Sequence, residues 1–478
     1  MKLHVKKKLT LMVLVVLALL IGLSGYYLIF QRSLPAPTVV LVASVQSGAV
    51  PLKVDFEGSG SAGSAGLQMS WEFGDGSRAH GSTVQHTFTQ VGIYTVRLTV
   101  KTPQGRSAQQ ETVITVLGFT KRVFKVGHTP TSLVEGDFNR DGYTDLVVSN
   151  MRDGTLTVLY GEAGGKFRAN TIPTVRSPGW LAVGDFNGDG YPDLAVASID
   201  QDLISILIGG AKGFQLATTL RTDTFPNGIA VGDFNGDGRP DLAVVSSYQN
   251  DVVLYQNVGQ AHFKRVATLS VGEFPNFISA SDVNGDGHPD LLVANLRGAN
   301  LSILLGEDQP FQFATHTLRT KLNPTGVAVG DFNEDDHPDL AVVDEGSNLL
   351  SISLGDGKGD FPYDERGIHL GKLPHWVAVG DVNGDGHQDL IVTNADDDNI
   401  SILLGNGHGT FAPPIQFAAG DSPFAAVVGD FNHDGQLDVA VSDAAGDDVV
   451  VLLGEKGKHY APYSGLWPAQ ARERLGEE

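Results

Sequence analysis

One nine-residue pattern, Asp-x-Asn-x-Asp-x-x-x-Asp, occurs seven times between residues 137 and 438 of the 478-residue chain. A nearly constant period of this size is typical of repeat proteins, in which each unit buries its apolar face only against its neighbours. The pattern therefore constrains the fold more than any other feature of the chain. Successive copies begin 48 to 50 residues apart, at Asp137, Asp185, Asp233, Asp282, Asp331, Asp381 and Asp430.

Each repeat contains short apolar segments separated by turn residues. In the second repeat these segments are residues 180–184, 194–197 and 203–208, followed by a glycine-rich turn and Phe214. Four short strands in each of seven repeats predict a seven-bladed β-propeller. An open solenoid is the alternative that any repeat allows.

The chain ends of the repeat region favour a ring. Residues 121–126 have the pattern of the outer strand that precedes the later repeats, as at residues 414–420. A propeller uses such an orphan strand to complete its last blade. We therefore expect residues 121–126 to pair with a strand near residues 449–453.

The first 32 residues carry a membrane signal. Four lysines between residues 2 and 8 precede an uncharged, mostly apolar run at residues 9–30. This run is long enough to span a bilayer as a helix, and the lysines place the N-terminus in the cytoplasm. We predict a cytoplasmic stub and transmembrane anchor at residues 1–32, with a cleaved signal peptide as the alternative. In either case the following domains lie outside the cytoplasm.

Composition excludes several classes of protein. The chain has no cysteine, which rules out disulfides, thiolate catalysis and zinc–cysteine sites. Acidic residues outnumber basic ones by 55 to 33, a net charge of −22, and no basic stripe suits nucleic acid. The repeated pattern supplies 21 of the 55 acidic residues, close in number to the net charge of −22, which indicates ligand groups for cations.

Residues 38–117 form a separate segment of alternating apolar stretches and Gly/Ser-rich turns, which predicts an all-β domain. Residues 71–77 read Trp-Glu-Phe-Gly-Asp-Gly-Ser, and residues 92–100 read Gly-Ile-Tyr-Thr-Val-Arg-Leu-Thr-Val. With the His-Thr-Phe at residues 86–88, this segment resembles a PKD domain. The resemblance implies a small immunoglobulin-like β-sandwich that acts as a spacer. Trp71 is expected in the core between the two sheets, not as a sugar-stacking platform.

The repeated pattern predicts calcium sites. Calcium takes about six to eight oxygen ligands from carboxylates, amides and backbone carbonyls. Side chains at positions 1, 3, 5 and 9 of each loop and the carbonyl at position 7 supply such oxygens. Position 7 varies in chemistry, which fits a backbone contact and argues against its three histidines as side-chain ligands. An EF-hand is excluded because a strand-like segment follows the loop where that motif requires a helix.

The predicted ligands number five in each loop, and we expect about seven bound calcium ions. The fifth loop is the least regular, because Asp336 stands where the other loops have glycine. The ligands are Asp137, Asn139, Asp141, Tyr143 and Asp145; Asp185, Asn187, Asp189, Tyr191 and Asp193; Asp233, Asn235, Asp237, Arg239 and Asp241; Asp282, Asn284, Asp286, His288 and Asp290; Asp331, Asn333, Asp335, His337 and Asp339; Asp381, Asn383, Asp385, His387 and Asp389; and Asp430, Asn432, Asp434, Gln436 and Asp438.

The repeats resemble FG-GAP/VCBS units, the repeats of integrin-α-like propellers. The resemblance rests on segments such as residues 183–194, Val-Gly-Asp-Phe-Asn-Gly-Asp-Gly-Tyr-Pro-Asp-Leu, and residues 405–411, Gly-Asn-Gly-His-Gly-Thr-Phe. It covers residues 119–463 and leaves a short tail at 464–478. It implies calcium-stabilised blades outside the cytoplasm and roles in adhesion or ligand binding. It does not imply one activity, because propellers host many.

Candidate ligand-binding residues lie at the mouth opposite the calcium loops. Each repeat has a proline seven residues before its first loop aspartate, and the next two residues begin the innermost strand. Aromatic and imidazole groups there could hold a sugar or a peptide side chain. They could equally cap the apolar seam between blades. These residues are Trp180, Phe277, His375, Trp376 and Phe424.

Evidence for catalysis is weak in the sequence. The chain contains neither a Gly-x-Ser-x-Gly nor a His-Glu-x-x-His motif. Glu135 is the best catalytic candidate, because the other repeats have valine or alanine there, although a blade-edge acid explains it as well. We therefore interpret the chain as a non-enzymatic surface module for adhesion or recognition of a protein or glycan ligand, without nucleic acid. A carbohydrate-active lyase or hydrolase built on the propeller is the alternative.

Overall fold

A computed structural model describes residues 37–61, 66–455 and 457. The chain divides into two compact units between Val116 and Leu117. The predicted anchor at residues 1–32 and the tail at residues 464–478 lie outside the described residues. Within the part of the chain that is described, no helix is long and apolar enough to cross a membrane.

The N-terminal unit consists of two antiparallel sheets, a three-stranded sheet in the order β1-β3-β6 and a five-stranded sheet in the order β2-β8-β7-β4-β5. The strands are β1 (Thr38–Ala43), β2 (Ser47–Ala49), β3 (Leu52–Ser61), β4 (Gln68–Glu72), β5 (Arg78–His80), β6 (Thr83–Phe88), β7 (Gly92–Lys101) and β8 (Ser107–Leu117).

The core of this unit is aromatic. Trp71 is fully buried with Phe56, Phe73 and Phe88, and its indole Nε1 donates to the Gly81 carbonyl at 2.9 Å. A buried indole N–H needs such a partner. The predicted core role of Trp71 is confirmed.

The second unit consists of seven four-stranded antiparallel sheets, one for each repeat. The strands of the first four sheets are β10 (Pro130–Gly136), β11 (Asp145–Asn150), β12 (Thr155–Glu162) and β13 (Lys166–Pro173); β14 (Pro178–Gly184), β15 (Asp193–Ser198), β16 (Leu203–Ile208) and β17 (Gln215–Arg221); β18 (Pro226–Gly232), β19 (Asp241–Ser246), β20 (Asp251–Asn257) and β21 (Phe263–Ser270); and β22 (Pro275–Ser281), β23 (Asp290–Asn295), β24 (Asn300–Gly306) and β25 (Phe313–Arg319).

Sheets five and six have shorter outer strands, and 3-10 helices at Glu345–Ser347 and Ala395–Asp397 follow their second strands. The strands of the last three sheets are β26 (Pro324–Gly330), β27 (Asp339–Asp344), β28 (Leu349–Ser353) and β29 (Ile368–His369); β30 (Pro374–Gly380), β31 (Asp389–Asn394), β32 (Asn399–Leu403) and β33 (Ile415–Ala418); and β34 (Pro423–Gly429), β35 (Asp438–Asp443), β36 (Asp448–Gly454) and β9 (Phe119–Lys125).

The second strand of each sheet is buried along its whole length, for example β11, β15 and β19. Its apolar residues are continuous instead of alternating, because neighbouring sheets cover both of its faces. The outer strands alternate between half-buried and exposed residues, as in β13. The core of the unit therefore lies between sheets, where each repeat packs on the next.

The predicted pairing of the orphan strand is confirmed. β9 joins the seventh sheet, where Val123 pairs with Val450 and Lys125 pairs with Asp448. The seventh sheet also contacts the first through β34 and β10. Ser442 Oγ donates to the Thr131 carbonyl across this contact at 2.7 Å.

Candidate metal loops and ligand-binding face

Each Asp-x-Asn-x-Asp pattern forms the loop between the first and second strands of its sheet. β10 ends at Gly136, directly before position 1, and β11 begins at Asp145, which is position 9. Because all sheets are built alike, the seven loops lie at the same strand ends. We number them loops 1 to 7 in chain order.

The aspartate at position 9 braces its loop against the rest of the sheet. In loop 2, one Asp193 oxygen accepts the Phe186 N–H and the other accepts the Gly209 N–H, both at 2.8 Å. The second partner lies sixteen residues later, at the end of the third strand, and this bond recurs in all seven repeats. The sequence analysis missed this structural role and assigned position 9 to the ion alone.

The acids at positions 1 and 5 hold the loop in shape through its own backbone. In loop 2, Asp185 accepts the N–H groups of Asp189 and Gly190, at 3.1 and 2.8 Å. Asp189 accepts the Tyr191 N–H at 2.8 Å, and the Asn187 amide donates to Asp189 at 2.9 Å. These hydrogen bonds alone, without an ion, hold the side-chain oxygens of positions 1, 3 and 5 within one tight turn.

Loops 3 and 7 differ from this arrangement. The Asn235 amide donates to Asp241 at position 9, and Asp237 pairs with Arg239 at 2.5 Å. In loop 7 the Asn432 amide also turns toward position 9, and its Oδ1 is buried without a hydrogen-bond partner. Loop 5 keeps the common shape, because Asp336 adopts a φ of 66° and donates its N–H to position 1 as glycine does elsewhere.

Burial and like charge act together at position 9. Burial, with the nearby charges of positions 1 and 5, raises the pKa of Asp145, Asp193, Asp241 and Asp290 to about 6. The pKa of Asp438 rises to about 7 for the same reasons. A divalent cation would remove the like-charge part of this cost.

The residues present fit a hard divalent cation by donor type, since each loop offers three carboxylates, an amide and a backbone carbonyl. In loop 3 a basic side chain would compete with a cation for one of these carboxylates, because Arg239 forms an ion pair with Asp237. Among the described residues no three His, Cys, Asp or Glu side chains are gathered closely enough to hold a metal. The carboxylate oxygens instead accept hydrogen bonds from the N–H groups of the loop. Each such bond uses one lone pair of an oxygen and leaves another that a cation could use.

Two of the position 7 histidines contact acids outside their own loops, whereas Arg239 at the same position of loop 3 pairs with Asp237 of its own loop. His288 Nε2 lies 3.3 Å from Asp308, and His387 Nδ1 lies 2.5 Å from Glu334. These contacts agree with the interpretation that the position 7 histidines are not side-chain ligands.

The predicted aromatic mouth residues pack on one another. Trp180, Phe277 and Trp376 come from the second, fourth and sixth sheets, yet their ring centroids are 5.3 to 5.8 Å apart. Trp180 and Phe277 are buried. Of the two alternatives for this aromatic cluster, the contacts favour a cap on the apolar seam between sheets over an open binding slot, with Trp376 half-buried beside the other two rings.

His375 and Phe424 form a second contact at this mouth. Their ring centroids are 3.7 Å apart, and His375 Nδ1 is buried without a hydrogen-bond partner. Burial lowers the pKa of His375 to about 4, so the ring is neutral at neutral pH. This pair is also a packing contact.

Glu135 lies at the end of β10, beside the seventh sheet. Its Oε2 is buried without a hydrogen-bond partner and sits against Gly429, where an added Cβ would lie 2.6 Å away. Burial raises the pKa of Glu135 to about 7. Glu135 is therefore a half-buried acid outside the loops with one buried carboxyl oxygen unpartnered.

Sequence analysis missed an aromatic patch on the face opposite the loops, in which Tyr248 is exposed and Phe225 and Phe274 are half-buried. Phe225, Tyr248 and Phe274 contact one another edge to face or tilted, with centroids 5.1 to 6.3 Å apart. The Arg297 guanidinium lies over the Phe274 ring at 4.2 Å, and Tyr248 is 59% exposed. We call these four residues the aromatic patch.

Two rings of the aromatic patch lie next in sequence to the prolines from which the mouth residues were assigned, but on the N-terminal side of those prolines. Phe225 and Phe274 directly precede the prolines that open β18 and β22. Both have positive φ, 63° and 55°, which is unfavourable for a bulky side chain. In this conformation the Phe225 and Phe274 carbonyls accept the N–H groups of Ser247 and Leu296, which joins each turn to the end of the second strand of its sheet.

The family comparisons agree with both units. A family model described as FG-GAP-like repeat matches residues 137–196, 185–244, 233–281, 282–342, 331–392 and 381–441, which together span more than half of the chain. A family model described as PKD domain matches residues 34–116.

A curated relative matches only a small part of the chain. Collagenase ColA of Bacillus cereus is 33% identical over 81 residues, which is 16% of this chain and 8% of that protein. The chain thus spans less than a tenth of the length of this relative.

Two solved structures are similar in fold. BBS1N, crystallised in complex with ARL6DN, has a TM-score of 0.53 at 14% identity, covering 70% of this chain and 96% of that one. A protein from Lactobacillus plantarum has a TM-score of 0.51 at 15% identity, covering 75% and 98%. At such identities the likeness shows the fold alone.

Proposed function

We propose, on the premise that the chain belongs to the family of FG-GAP-like repeat proteins and carries a PKD domain, that it is a calcium-stabilised seven-bladed β-propeller that recognises a ligand outside the cytoplasm. The ligand is a protein or a glycan. The PKD domain serves as a spacer between the propeller and a membrane anchor in the first 32 residues.

Closure of the seven sheets is supported by contacts between the last and the first. β9 completes the seventh sheet, and Ser442 bonds across to Thr131 as Ser149 bonds to Gly179 between the first two sheets. The contact of Trp180, Phe277 and Trp376 requires alternate sheets to converge on one centre. A ring has this property and an open solenoid does not.

Calcium binding is supported by the donor set of the loops and by the cost of the carboxylates without a cation. A bound calcium ion would supply positive charge among three acids that otherwise repel one another. Positions 1, 3 and 5 and the position 7 carbonyl would hold it. Position 9 would keep its two backbone N–H bonds and add at most a further contact.

Recognition is supported mainly by the aromatic patch. Aromatic rings that contact one another at the surface, with one of them exposed as Tyr248 is, are common at binding surfaces, since they offer a large rigid contact area at low entropic cost. The patch lies away from the loops, so a ligand there would not compete with calcium. Arg297 adds a planar hydrogen-bond donor beside the rings.

The test is binding by the patch variants. The chain from residue 33 onward, screened on glycan and protein arrays, should yield a ligand whose affinity falls about tenfold or more in Tyr248→Ala and Arg297→Ala. Tyr363→Ala is the matched control, because Lys321 lies over its ring at 4.6 Å on another sheet. Equal binding by all three variants would place the ligand elsewhere.

The enzyme alternative is favoured by the burial of the Glu135 carboxyl, whose Oε2 has no hydrogen-bond partner; this burial raises the pKa of Glu135 to about 7, which suits a general acid. Glycoside hydrolysis ordinarily needs a second carboxylate at a defined separation. Product release from a glycan panel that is abolished in Glu135→Gln would support this alternative. Binding without product would support the recognition role.

A further inference from the structure

Position 4 of the loops separates them into two kinds. In loops 2, 3, 4 and 6 this position is glycine, and in loops 1, 5 and 7 it is Arg140, Glu334 and His433. All three side chains stand on backbone with positive φ, 61°, 58° and 58°. That conformation is unfavourable for a residue with a Cβ, and glycine would adopt it without cost.

Each of these three side chains reaches position 7 of the following loop. The Arg140 guanidinium donates to the Gly190 carbonyl and lies over the Tyr191 ring at 4.4 Å. Glu334 Oε1 lies 2.5 Å from His387 Nδ1. Position 4 of one loop thus contacts position 7 of the next loop in both places, once through a guanidinium over an aromatic ring and once through a carboxylate beside an imidazole.

The third contact joins the last loop to the first. The rings of His433 and Tyr143 meet edge to face with centroids 4.9 Å apart. Loops 6 and 7 are joined in the other direction, since Gln436 at position 7 donates to the Val382 carbonyl at 3.4 Å. Loops 5, 6, 7, 1 and 2 therefore form one continuous series of side-chain links.

No position 4 side chain links loops 2, 3 and 4, because that position is glycine in each of them. Loop 3 contacts loop 2 through Asn257 instead, whose N–H donates to Asp241 at 2.7 Å and whose side-chain amide donates to the Phe186 carbonyl at 2.9 Å. A Cβ added at Gly188, Gly236 or Gly285 would meet no heavy atom within 4 Å. Between loops 3 and 4 a cleft of about 150 Å³ lies where a position 4 side chain would otherwise reach, lined by Asn235, His288 and Asp308 among others. The cleft has room for a position 4 side chain, but Gly236 at position 4 of loop 3 has none to link the two loops.

We propose that the position 4 side chains couple neighbouring calcium loops, so that loops 5, 6, 7, 1 and 2 bind calcium as a linked group while loop 4, which has glycine at position 4, binds independently. This inference rests on the proposed calcium binding. It adds that calcium binding is cooperative between particular loops, and that three residues that are not calcium ligands, Arg140, Glu334 and His433, determine which loops are coupled.

The physical reason is the location of the two linked residues. Position 4 lies between the ligands at positions 3 and 5, and position 7 carries the expected backbone ligand of the next loop. Binding in one loop immobilises its position 4 side chain, which holds position 7 of the next loop in place. The second loop then loses less conformational entropy when it binds, and this lowers its calcium requirement.

The experiment uses the full chain, stripped of metal and titrated with calcium, with hydrogen exchange of each loop followed by mass spectrometry. Asp141→Ala removes a ligand from loop 1 and is read out in loop 2. The calcium concentration that protects loop 2 should rise about threefold, a size typical of weak exposed contacts. In the Arg140→Gly background the same substitution should leave loop 2 unchanged.

Asp286→Ala is the matched control, because loop 4 has glycine at position 4 and no link to loop 5. It should leave the protection of loop 5 at the wild-type calcium concentration. If Asp141→Ala does not fold, Asp141→Asn keeps the shape of the side chain and serves in its place. Arg140→Gly relieves an unfavourable φ, so any loss of coupling is not a loss of backbone stability.

Three results would overturn the coupling. Loop 2 could be indifferent to Asp141→Ala, or it could shift equally with and without Arg140, or loop 5 could shift as much as loop 2. A different result, no calcium-dependent protection in any loop, would contradict calcium binding itself, and the coupling would fall with it.

Discussion

A disulfide between β9 and β36 tests closure of the last sheet directly. The chain has no cysteine, so Val123→Cys with Val450→Cys introduces one possible bridge. These residues are direct partners in the antiparallel register. Direct partners have Cα atoms about 4.5 to 5.5 Å apart, inside the range that a disulfide spans.

The stabilisation follows from the chain that the bridge closes. The loop from residue 123 to residue 450 contains roughly 330 residues, for which the chain-entropy relation gives about 6 kcal/mol. Trimming the buried Val450 to cysteine costs about 1 kcal/mol. The net gain of about 5 kcal/mol, spread over the unfolding entropy of roughly 340 residues, raises the Tm by about 7 °C.

The assay compares melting with and without reductant, after thiol titration and a non-reducing gel. Val123→Cys with Val449→Cys is the matched control, because a one-residue offset turns the second side chain to the opposite face of the sheet. The in-register pair should lose both free thiols as a monomer, and the offset pair should keep them. Free thiols in both pairs, or an unchanged Tm on reduction, would refute the pairing.

Two further predictions concern pH and the aromatic cluster. A carboxyl whose folded pKa is raised stabilises the fold below its unfolded pKa and loses that contribution as pH rises through the folded value. Calcium-free protein should therefore melt at a falling temperature from pH near 4 to pH near 7, the range of Asp193 and Asp438, and a rising Tm would contradict this. Trp376→Ala should cost about 3 kcal/mol of stability by emptying the cluster, whereas Trp376→Phe should cost about 1 kcal/mol; equal Tm values for both variants and wild type, measured by calorimetry, would show that the ring does not pack.

The repeat period, the strand pattern and the orphan strand were readable from the sequence because each depends on local residues. Regular spacing placed every loop between the same two strands, and the outer strand at residues 121–126 needed only its resemblance to later copies. Trp71 was assignable to a core because residues 71–77 resemble the corresponding segment of a PKD domain. These features need no knowledge of which sheets meet.

The remaining features depend on contacts between distant parts of the chain. The second oxygen of Asp193 binds a backbone N–H sixteen residues away, and backbone partners leave no mark in residue identity. Trp180, Phe277 and Trp376 occur in alternate repeats, so their contact appears only when the sheets converge. The link from Arg140 to the Gly190 carbonyl likewise joins residues 50 positions apart in the chain.

The calcium content of the purified chain tests the account most directly. Protein from residue 33 onward, dialysed into millimolar calcium and then into metal-free buffer briefly enough to remove only loose ions, is measured by elemental analysis. The account predicts six or seven calcium ions per chain and a sharp fall in Tm on chelation, since bound ions stabilise the folded state by mass action. Two ions or fewer, with a Tm indifferent to chelator, would contradict it.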